Sequence, residues 1–297
     1  MGNITAVILT YNEERHIKRC ITNIKLLTDK ILVVDCNSID DTCMIAKQCG
    51  AEVVNHEWPG TQAKQLNWAL CNISFDTEWI LRIDADEYLS DALIDEIKVK
   101  IPELSDDVTG IVLHRKHIFL EREMQKGKTA RILRLFRYKK AICEDRLMDE
   151  YINLLEGHAI DFKEYFYDHN LNGVANYCQK HINYAVREAA MELDLEYNLT
   201  NKNYQFQEIG EYGNTVRKNK NLYSRFPLFW RGFAYFFLKY FVSGSFLRGK
   251  EVFAYNFIQK LWYRNLIDTI ILDVKYRSGD NKELVRNTLK EIYNIKI

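Results

Sequence analysis

The sequence predicts an α/β protein, with a doubly wound, mostly parallel sheet flanked by helices and a helical C-terminal extension. Three observations lead to this prediction. Short apolar runs alternate with amphipathic segments four times in the N-terminal third of the 297-residue chain. Polar clusters follow the first, second and fourth of these runs, and the pattern becomes mainly helical after residue 176. Strands that alternate with helices form parallel sheets with right-handed crossovers.

The spacing of apolar residues predicts each element in order. The predicted strands span residues 4–10, 31–34, 51–55, 79–87, 111–119 and 131–138. Helices are expected through residues 17–27, 45–50, 62–71, 177–197, 228–243, 250–272 and 281–294. Ser38 or Asp40 is suited to cap the second helix, because short polar side chains accept hydrogen bonds from its first N–H groups. The charged connection at 121–128 is expected to be mobile.

The strand predicted over residues 79–87 ends in the carboxylates Asp84, Asp86 and Glu87. Asp84 and Asp86 point to the same side if the strand persists that far, because side chains alternate along a strand. Two oxygen ligands on one side suit Mg²⁺ or Mn²⁺ brought by a phosphorylated substrate. Alternatively, the two aspartates merely cap the helix that begins near Ser90.

The polar clusters at residues 11–13, 35–41 and 84–87 all follow predicted strands. The carboxyl ends of parallel strands meet at one edge of the sheet, where open α/β sheets bind their ligands. Separate helix caps would have no reason to converge in this way. We therefore expect one binding site at this edge.

Composition limits the class of partner and the compartment. Lys plus Arg equals Asp plus Glu, 41 each, so no global field favours nucleic acid. The seven cysteines form no CxxC pair, which favours reduced thiols in a cytoplasmic protein over disulfides or a zinc site. The first strand pattern begins without a basic region or cleavage site, so no signal peptide is expected.

Residues 226–247 form the most apolar segment of the chain. Arg231 and Lys239 interrupt it, so it offers no uncharged span of about 20 residues for crossing a bilayer. Two interpretations stay open. The segment is an interfacial helix with aromatic anchors, or a core helix packed against the sheet or a second copy.

Four ordered motifs resemble those of the family 2 glycosyltransferases. They are V-I-L-T-Y-N-E at 7–13, V-V-D-C-N-S at 33–38, W-P-G at 58–60 with Lys64, Gln65 and Asn67, and I-D-A-D-E at 83–87. The D-A-D-E motif is similar to that of the lipopolysaccharide-core and polysaccharide branch. Further likeness lies in R-L-F-R at 134–137, R-L-M-D-E at 146–150 and K-H-I-N-Y-A at 180–185. The segment 244–251 departs from the branch, with Arg248 where related members often have an acid.

The resemblance implies a GT-A (Rossmann-like) fold, a nucleotide-diphosphate sugar donor, a divalent Mn²⁺ or Mg²⁺ ion held by Asp86, and inversion at the anomeric carbon. It implies a donor-binding and catalytic domain over residues 1–170 and a helical region over 171–297 that contacts the acceptor or the membrane interface. The inner face of the cell membrane is the expected location. The residues expected to bind the donor are Thr10, Tyr11, Glu13, Asp35, Lys64, Asp84 and Asp86.

Inversion requires a general base that takes the proton of the acceptor hydroxyl. Glu150 is the first candidate and Asp149 the second, with the Glu144 and Asp145 pair as further candidates. On a helix, Asp145 and Asp149 would share one face. The expected function is transfer of a sugar, from UDP by family habit, to a cell-surface or lipid-linked glycan; the alternative is an inactive sugar-nucleotide-binding or scaffold protein on the same fold.

Overall fold

A computed structural model of the protein describes residues 3–124, 129–146, 148, 150–200, 223–224 and 226–295. The chain divides into two compact units, Met1–Asn172 and Gly173–Ile297. The first unit is a sheet flanked by helices, and the second is helical among its described residues. Asp149 and part of the 121–128 connection lie outside the described residues.

The N-terminal half of the first unit contains four parallel strands in the spatial order β3-β2-β1-β4. The strands are β1 Ile4–Thr10, β2 Ile31–Asp35, β3 Glu52–Asn55 and β4 Trp79–Asp84, and the helices between them are α1 Ile17–Ile24, α2 Thr42–Gln48 and α3 Gln62–Asn72. These elements agree with the predicted ones to within a few residues at their ends. The doubly wound α/β prediction is confirmed.

Alternating side chains of β1 divide the core between the two faces of the sheet. Ile4, Ala6 and Ile8 pack with the buried residues of α1. Val7 and Leu9 pack with those of α3 on the opposite face. Because every residue of β1 is buried, this strand reads as an unbroken apolar run.

The sheet becomes mixed beyond β4. Its further elements are β5 Glu87–Leu89, α4 Asp91–Lys100, β6 Val108–Phe119, β7 Arg122–Glu123, β8 Ala130–Arg137 and β11 His158–His169. Strand β8 is antiparallel to both β4 and β6, while β11 runs parallel to β6 and antiparallel to β5. A two-stranded sheet of β9 Ala141–Cys143 and β10 Ile152–Leu154 lies outside this path.

Two local predictions are wrong. The strand over 79–87 does not persist to Asp86, because it ends at Asp84 and a turn leads into the separate strand β5. The described residues of the acidic segment between β9 and β10 form no helix, so Asp145 shares no helix face with its neighbours. The pairing of β9 with β10 fixes both ends of this segment. The cap of α4 is Ser90, whose Oγ accepts from Leu93 N, so neither aspartate caps that helix.

The second unit contains α5 Gly173–Tyr197, α6 Trp230–Phe237, α7 Lys250–Asn256, α8 Tyr263–Ser278 and α9 Lys282–Glu291. A π-helical turn, Leu238–Val242, extends α6, and another, Phe257–Trp262, joins α7 to α8. Buried Arg231 pairs with buried Asp268, and the second carboxylate oxygen of Asp268 accepts from Phe229 N at 2.6 Å. Within the described residues, no helix combines the length and the apolar character that a membrane crossing requires.

Candidate active site

The turns after β1 and β2 are joined by hydrogen bonds. Thr10 Oγ1 donates to Asp35 Oδ1 at 2.8 Å, and Ser38 donates to the same carboxylate through both N (2.7 Å) and Oγ (2.6 Å). Asn12 N in turn donates to Ser38 Oγ at 2.8 Å. Asn12 and Asn37 both have positive φ, which Asn tolerates better than most residues. Buried Asp35 therefore organises the two turns.

Glu13 is held by His16, just before α1, and by Thr42, the first residue of α2. Its backbone N donates to Thr42 Oγ1 at 2.7 Å, and its carboxylate lies 2.6 Å from Nδ1 of the fully buried His16. Nε2 of His16 accepts from Leu171 N at 2.8 Å. Because a backbone N–H can only donate, the imidazole proton sits on Nδ1 and is donated to Glu13. Tyr11, between these anchored residues, is exposed.

Asp84 and Glu87 share the cation Arg134. The guanidinium of Arg134 lies 3.1 Å from Asp84 Oδ2 and 2.6 Å from Glu87 Oε1. The other oxygen of Glu87 accepts from Asp84 N at 3.0 Å, and Arg82 lies 3.0 Å from Asp84 Oδ1. Burial and the neighbouring charges of Asp84 and Asp168 raise the pKa of Glu87. Glu87 thus fixes the end of β4 from inside the protein.

Asp86 lies in the turn between β4 and β5, and its backbone is held from two sides. Its carbonyl oxygen accepts from Arg19 at 3.1 Å and from His169 N at 2.9 Å. Arg19 also donates to the carbonyl of His169 at 2.6 Å and lies over the ring of Tyr88. The turn that carries the Asp86 carboxylate is therefore tied to α1 and to the end of β11.

The acidic segment after β9 is attached to the start of α3. Asp145 accepts from Thr61 Oγ1 at 3.0 Å and lies 3.8 Å from Lys64 Nζ, an exposed side chain. Glu144 pairs with Arg146 at 2.9 Å. Both members of the predicted Glu144 and Asp145 pair therefore have cationic neighbours, and Lys64 contacts the acidic segment.

Glu150 lies within electrostatic range of the end of β4. Burial disfavours the charged form of Arg82, but nearby carboxylates raise its pKa above the usual value. Asp84 has the largest effect among these carboxylates, and Glu150 also contributes. Burial raises the pKa of the Cys143 thiol to about 12; Arg82 opposes the rise and Glu150 adds to it. Arg82 thus links Glu150 electrostatically to Asp84.

The carboxylates at this edge suit a metal ion that is shared with a substrate better than a metal ion that the protein holds alone. Among the described residues, no group of three or more His, Cys, Asp or Glu side chains is arranged to hold a metal ion. Mg²⁺ is commonly bound by one or two carboxylates together with substrate phosphates. Asp84 is already paired with two arginines, which leaves its carboxylate less available to such an ion.

The structure brings most of the predicted residues to one edge of the sheet. Thr10 lies beside Asp35, and Asp84 lies beside Leu9 in the register of the parallel strands. The roles of these residues remain predictions. Sequence reasoning missed the residues that support them, because each acts across a long sequence separation: Arg19, His16, Arg82, Glu87, Arg134 and His169. The one available signal for a supporting residue was Arg82, a basic residue inside the otherwise apolar strand 79–84.

A family model described as glycosyl transferase family 2 matches residues 5–152, the part of the chain that forms this edge. The chain belongs to glycosyl transferase family 2. The family resemblance is confirmed, and the α/β architecture with its mixed sheet and helical C-terminal region is the expected GT-A fold.

Similar proteins match over part of their length. An uncharacterized glycosyltransferase of Rickettsia felis is 38% identical over 122 residues, covering 39% of this chain and 42% of the relative. One from Rickettsia typhi is 43% identical over 99 residues, covering 33% and 32%. The chain thus spans less than half the length of these curated relatives. Glucosyl-3-phosphoglycerate synthase from Mycobacterium tuberculosis, solved with Mn²⁺, UDP and glucosyl-3-phosphoglycerate, aligns with a TM-score of 0.32 and 24% identity over 39% of this chain and 44% of that chain.

Proposed function

We propose that this protein is an inverting, metal-dependent glycosyltransferase that moves a sugar from a nucleotide-diphosphate sugar to a cell-surface glycan or lipid-linked saccharide. The observation that carries the proposal is the common end of three adjacent parallel strands, where Thr10 lies beside Asp35 and Asp84 lies beside Leu9. Such an edge is where open α/β sheets bind ligands. Family membership supports the class of donor. UDP is the favoured nucleotide from the family resemblance.

The first group of residues would bind the nucleoside. Thr10, Tyr11 and Glu13 follow β1, and Asp35 fixes the adjoining turn by accepting three hydrogen bonds. Exposed Tyr11 is free to cover a base or ribose, and Asp84, paired with arginines, suits a ribose hydroxyl or a supporting role. Because the turns are already hydrogen-bonded, donor binding would require little ordering of the backbone.

The second group would act on the phosphates and on the acceptor. A divalent cation, Mn²⁺ or Mg²⁺, would be held by Asp86 with the donor's phosphates, and it supplies the Lewis acidity that stabilises a departing nucleoside diphosphate. Glu150 would take the proton of the acceptor hydroxyl on the opposite face of the sugar, with Asp149 as the second candidate. Lys64 would approach the phosphates or the base. Arg82, whose pKa Asp84 and Glu150 help to raise, would place a positive charge near both carboxylates.

The acceptor would be a growing glycan at the inner face of the cell membrane, which places the reaction in the cytoplasm. The second candidate function is an inactive sugar-nucleotide-binding or scaffold protein on the same fold. It would keep the nucleoside contacts and lack turnover. The ion pairs that orient Asp84 and the carboxylate of Glu150 near it favour the enzyme, because a binding protein has no use for a second carboxylate beside the donor site.

Isothermal titration tests the proposal directly. The full chain is titrated with UDP, GDP, CDP and dTDP, each with and without Mn²⁺, beside the variant Asp86→Ala. We expect one nucleotide to bind in a metal-dependent manner and the variant to lose the metal dependence. Asp91→Ala is the matched control, because Asp91 is an exposed carboxylate at the start of α4. If no nucleotide binds, or if Asp86→Ala binds with unchanged metal dependence, the proposed donor site is wrong.

A further inference from the structure

The helical unit carries a row of exposed aromatic side chains that its own core does not use. Trp230, Phe233, Phe237 and Phe241 recur at intervals of three or four residues along α6 and the π-helical turn after it, so they lie on one face. All four are exposed, Trp230 to 76%. Exposed apolar patches of this kind mark interaction sites in soluble proteins.

Ring contacts extend this row into one continuous surface. Phe241 packs on Phe237 at 5.4 Å and on Phe246 at 6.1 Å between ring centroids. Through Tyr240 it also reaches Phe253, which lies 5.5 Å from the Tyr240 ring. We call this surface the aromatic face; its exposed members are Trp230, Phe233, Phe237, Leu238, Phe241, Val242, Phe246, Leu247, Phe253 and Phe257.

Basic residues predominate in the segment that carries most of the aromatic face. Residues 226–250 contain four basic residues and no acidic one. Lys239 Nζ, Lys260 Nζ and Arg264 Cζ lie 5.8, 5.6 and 5.8 Å from the ring centroid of Tyr235. Glu188 pairs with Arg264, whereas the two lysines have no carboxylate partner among the described residues. The cluster therefore carries an excess of positive charge.

The positive electrostatic potential of this cluster changes the pKa values of its titratable groups. Burial alone would raise the pKa of Tyr235, yet Lys260, Arg264 and Lys239 together lower it below its usual value. Burial lowers the pKa of Lys260; Tyr235 opposes this change, and Arg264 and Lys239 add to it. An anion placed beside these groups would relieve their mutual repulsion.

Both lysines lie in irregular helix. Lys239 is in the π-helical turn Leu238–Val242, and Lys260 is in the π-helical turn Phe257–Trp262. Such turns are rare and are found frequently at functional sites. Two of them carry the two lysines to the same tyrosine ring.

We propose that the helical unit docks on a membrane surface rich in anionic phospholipid, with the aromatic face entering the headgroup region and Lys239, Lys260 and Arg264 binding a lipid phosphate. Aromatic side chains that flank basic residues are the pattern of segments that lie in the interface plane. A soluble partner would need a complementary acidic surface with an apolar centre. Anionic lipid provides both features together. In the proposed function, a lipid-linked acceptor would lie in the membrane on which the helical unit docks. Vesicle binding can be tested whether or not the proposed function is correct.

Co-sedimentation of the full chain with vesicles tests the proposal. Vesicles of phosphatidylcholine alone are compared with vesicles that also contain phosphatidylglycerol. We expect binding to the anionic vesicles, and a fall as salt is raised, because charges near the surface are screened. The variant Lys239→Gln/Lys260→Gln should lower the partition coefficient by roughly 25-fold, about fivefold for each lysine. The variant Trp230→Ser/Phe233→Ser should abolish binding to the anionic vesicles.

Matched variants show whether the effect is specific to this surface. Lys282→Gln/Lys290→Gln removes two exposed cations from α9, and Tyr276→Ser removes an exposed aromatic side chain from α8. Both should bind vesicles as the unmodified chain does. Lys239→Gln alone, an exposed position, keeps the test valid if substitution of half-buried Lys260 disturbs folding.

Three results would overturn the proposal. The first is an equal loss of vesicle binding in Lys282→Gln/Lys290→Gln, which would show that binding depends on the overall charge of the protein and not on this cluster. The second is binding of glycerol phosphate to the cluster without any binding of vesicles. The third is a stable dimer in sedimentation velocity that Trp230→Ser/Phe233→Ser converts to a monomer, together with no binding of the unmodified chain to vesicles. The aromatic face would then be an interface between two copies of the chain. Nucleotide titration of the same samples separates these results from failure of the donor site.

Discussion

At the scale of single residues, the candidate site depends on arginines that serve two carboxylates each. Arg134 contacts Asp84 and Glu87, and Arg82 contacts Asp84 and lies within electrostatic range of Glu150. Buried or half-buried carboxylates this close together would otherwise repel and take up protons. The cations offset part of this repulsion, although burial and the charges of Asp84 and Asp168 still raise the pKa of Glu87.

Replacement of Glu150 tests its role as base. Glu150→Gln keeps the shape of the side chain and removes its capacity to accept a proton. We expect turnover to fall by about 10²- to 10⁴-fold, the usual contribution of a general base, while nucleotide affinity changes little. Turnover is measured with a labelled nucleotide sugar and nucleotide affinity by titration.

The matched control for this prediction is Glu144→Gln. Glu144 lies in the same acidic segment and pairs with Arg146. It should retain most of the turnover. A large loss in Glu144→Gln with near-normal turnover in Glu150→Gln would assign the base to the Glu144 and Asp145 pair.

At the scale of elements, β11 contains an irregularity that a side chain from α4 stabilises. The register of β11 against β6 shifts between Asp161 and Tyr165, so the intervening N–H groups leave the ladder. The carboxylate of Glu96 accepts from Lys163 N and Glu164 N, each at 3.0 Å. The bulge thus has a fixed partner on the neighbouring helix, which accepts from two N–H groups that the ladder leaves unpaired.

Glu96 gives the first unit a stability that depends on pH. Burial would raise the pKa of Glu96, but hydrogen bonds from Lys100 and from the two backbone N–H groups lower it overall. A carboxylate with a lowered pKa stabilises the fold above its ordinary pKa of about 4.3, and this stability is lost as pH falls through the folded value. Glu96→Gln should cost about 1.5–3 kcal/mol of unfolding free energy at neutral pH.

Urea unfolding of Glu96→Gln at pH 7 and at acidic pH checks this expectation. The difference from the unmodified chain should be largest at pH 7 and should shrink once the carboxylate is protonated. Glu103→Gln is the control, because Glu103 is exposed just beyond α4. A constant difference at all pH values would show that the side chain stabilises β11 through packing and not through its charge.

At the scale of the whole molecule, the two compact units carry different chemistry. The first holds the carboxylates and arginines of the candidate donor site, and the second holds the aromatic face with its cationic cluster. A net charge of zero is thus a balance of local charges, since residues 226–250 are basic and the segment 144–150 is acidic. Charge distribution, more than net charge, decides which surfaces attract anions.

This division predicts that the two binding activities can be lost separately. Asp86→Ala should lose metal-dependent nucleotide binding and keep vesicle binding. Lys239→Gln/Lys260→Gln should lose vesicle binding and keep nucleotide affinity within about twofold, because substitutions without shared partners have nearly independent effects. Titration and co-sedimentation on the same preparations measure both quantities. Loss of both activities in either variant would contradict independent sites.

The alternation of apolar strands with amphipathic helices was enough to predict β1 to β4 and the convergence of their polar turns. Those elements are local in sequence, and their periodicity reflects burial on two faces of one sheet. The motifs at 7–13 and 83–87 were enough to predict the family, which the match over residues 5–152 confirms. The roles of Glu150 and Asp86 remain predictions.

Only the tertiary structure decided how these residues are supported. The sequence pattern extended the fourth strand to Glu87, but the carboxylate of Glu87 turns inward to Asp84 N and to Arg134, 47 residues away, and ends the strand. The spacing of Asp145 and Asp149 would have placed them on one face of a helix, but the described residues of that segment form no helix and lie between the paired strands β9 and β10. The physical reason is the same in both cases. Periodicity records which face of an element is buried, whereas ion pairs and strand pairing depend on which distant residues the fold brings within a few ångströms.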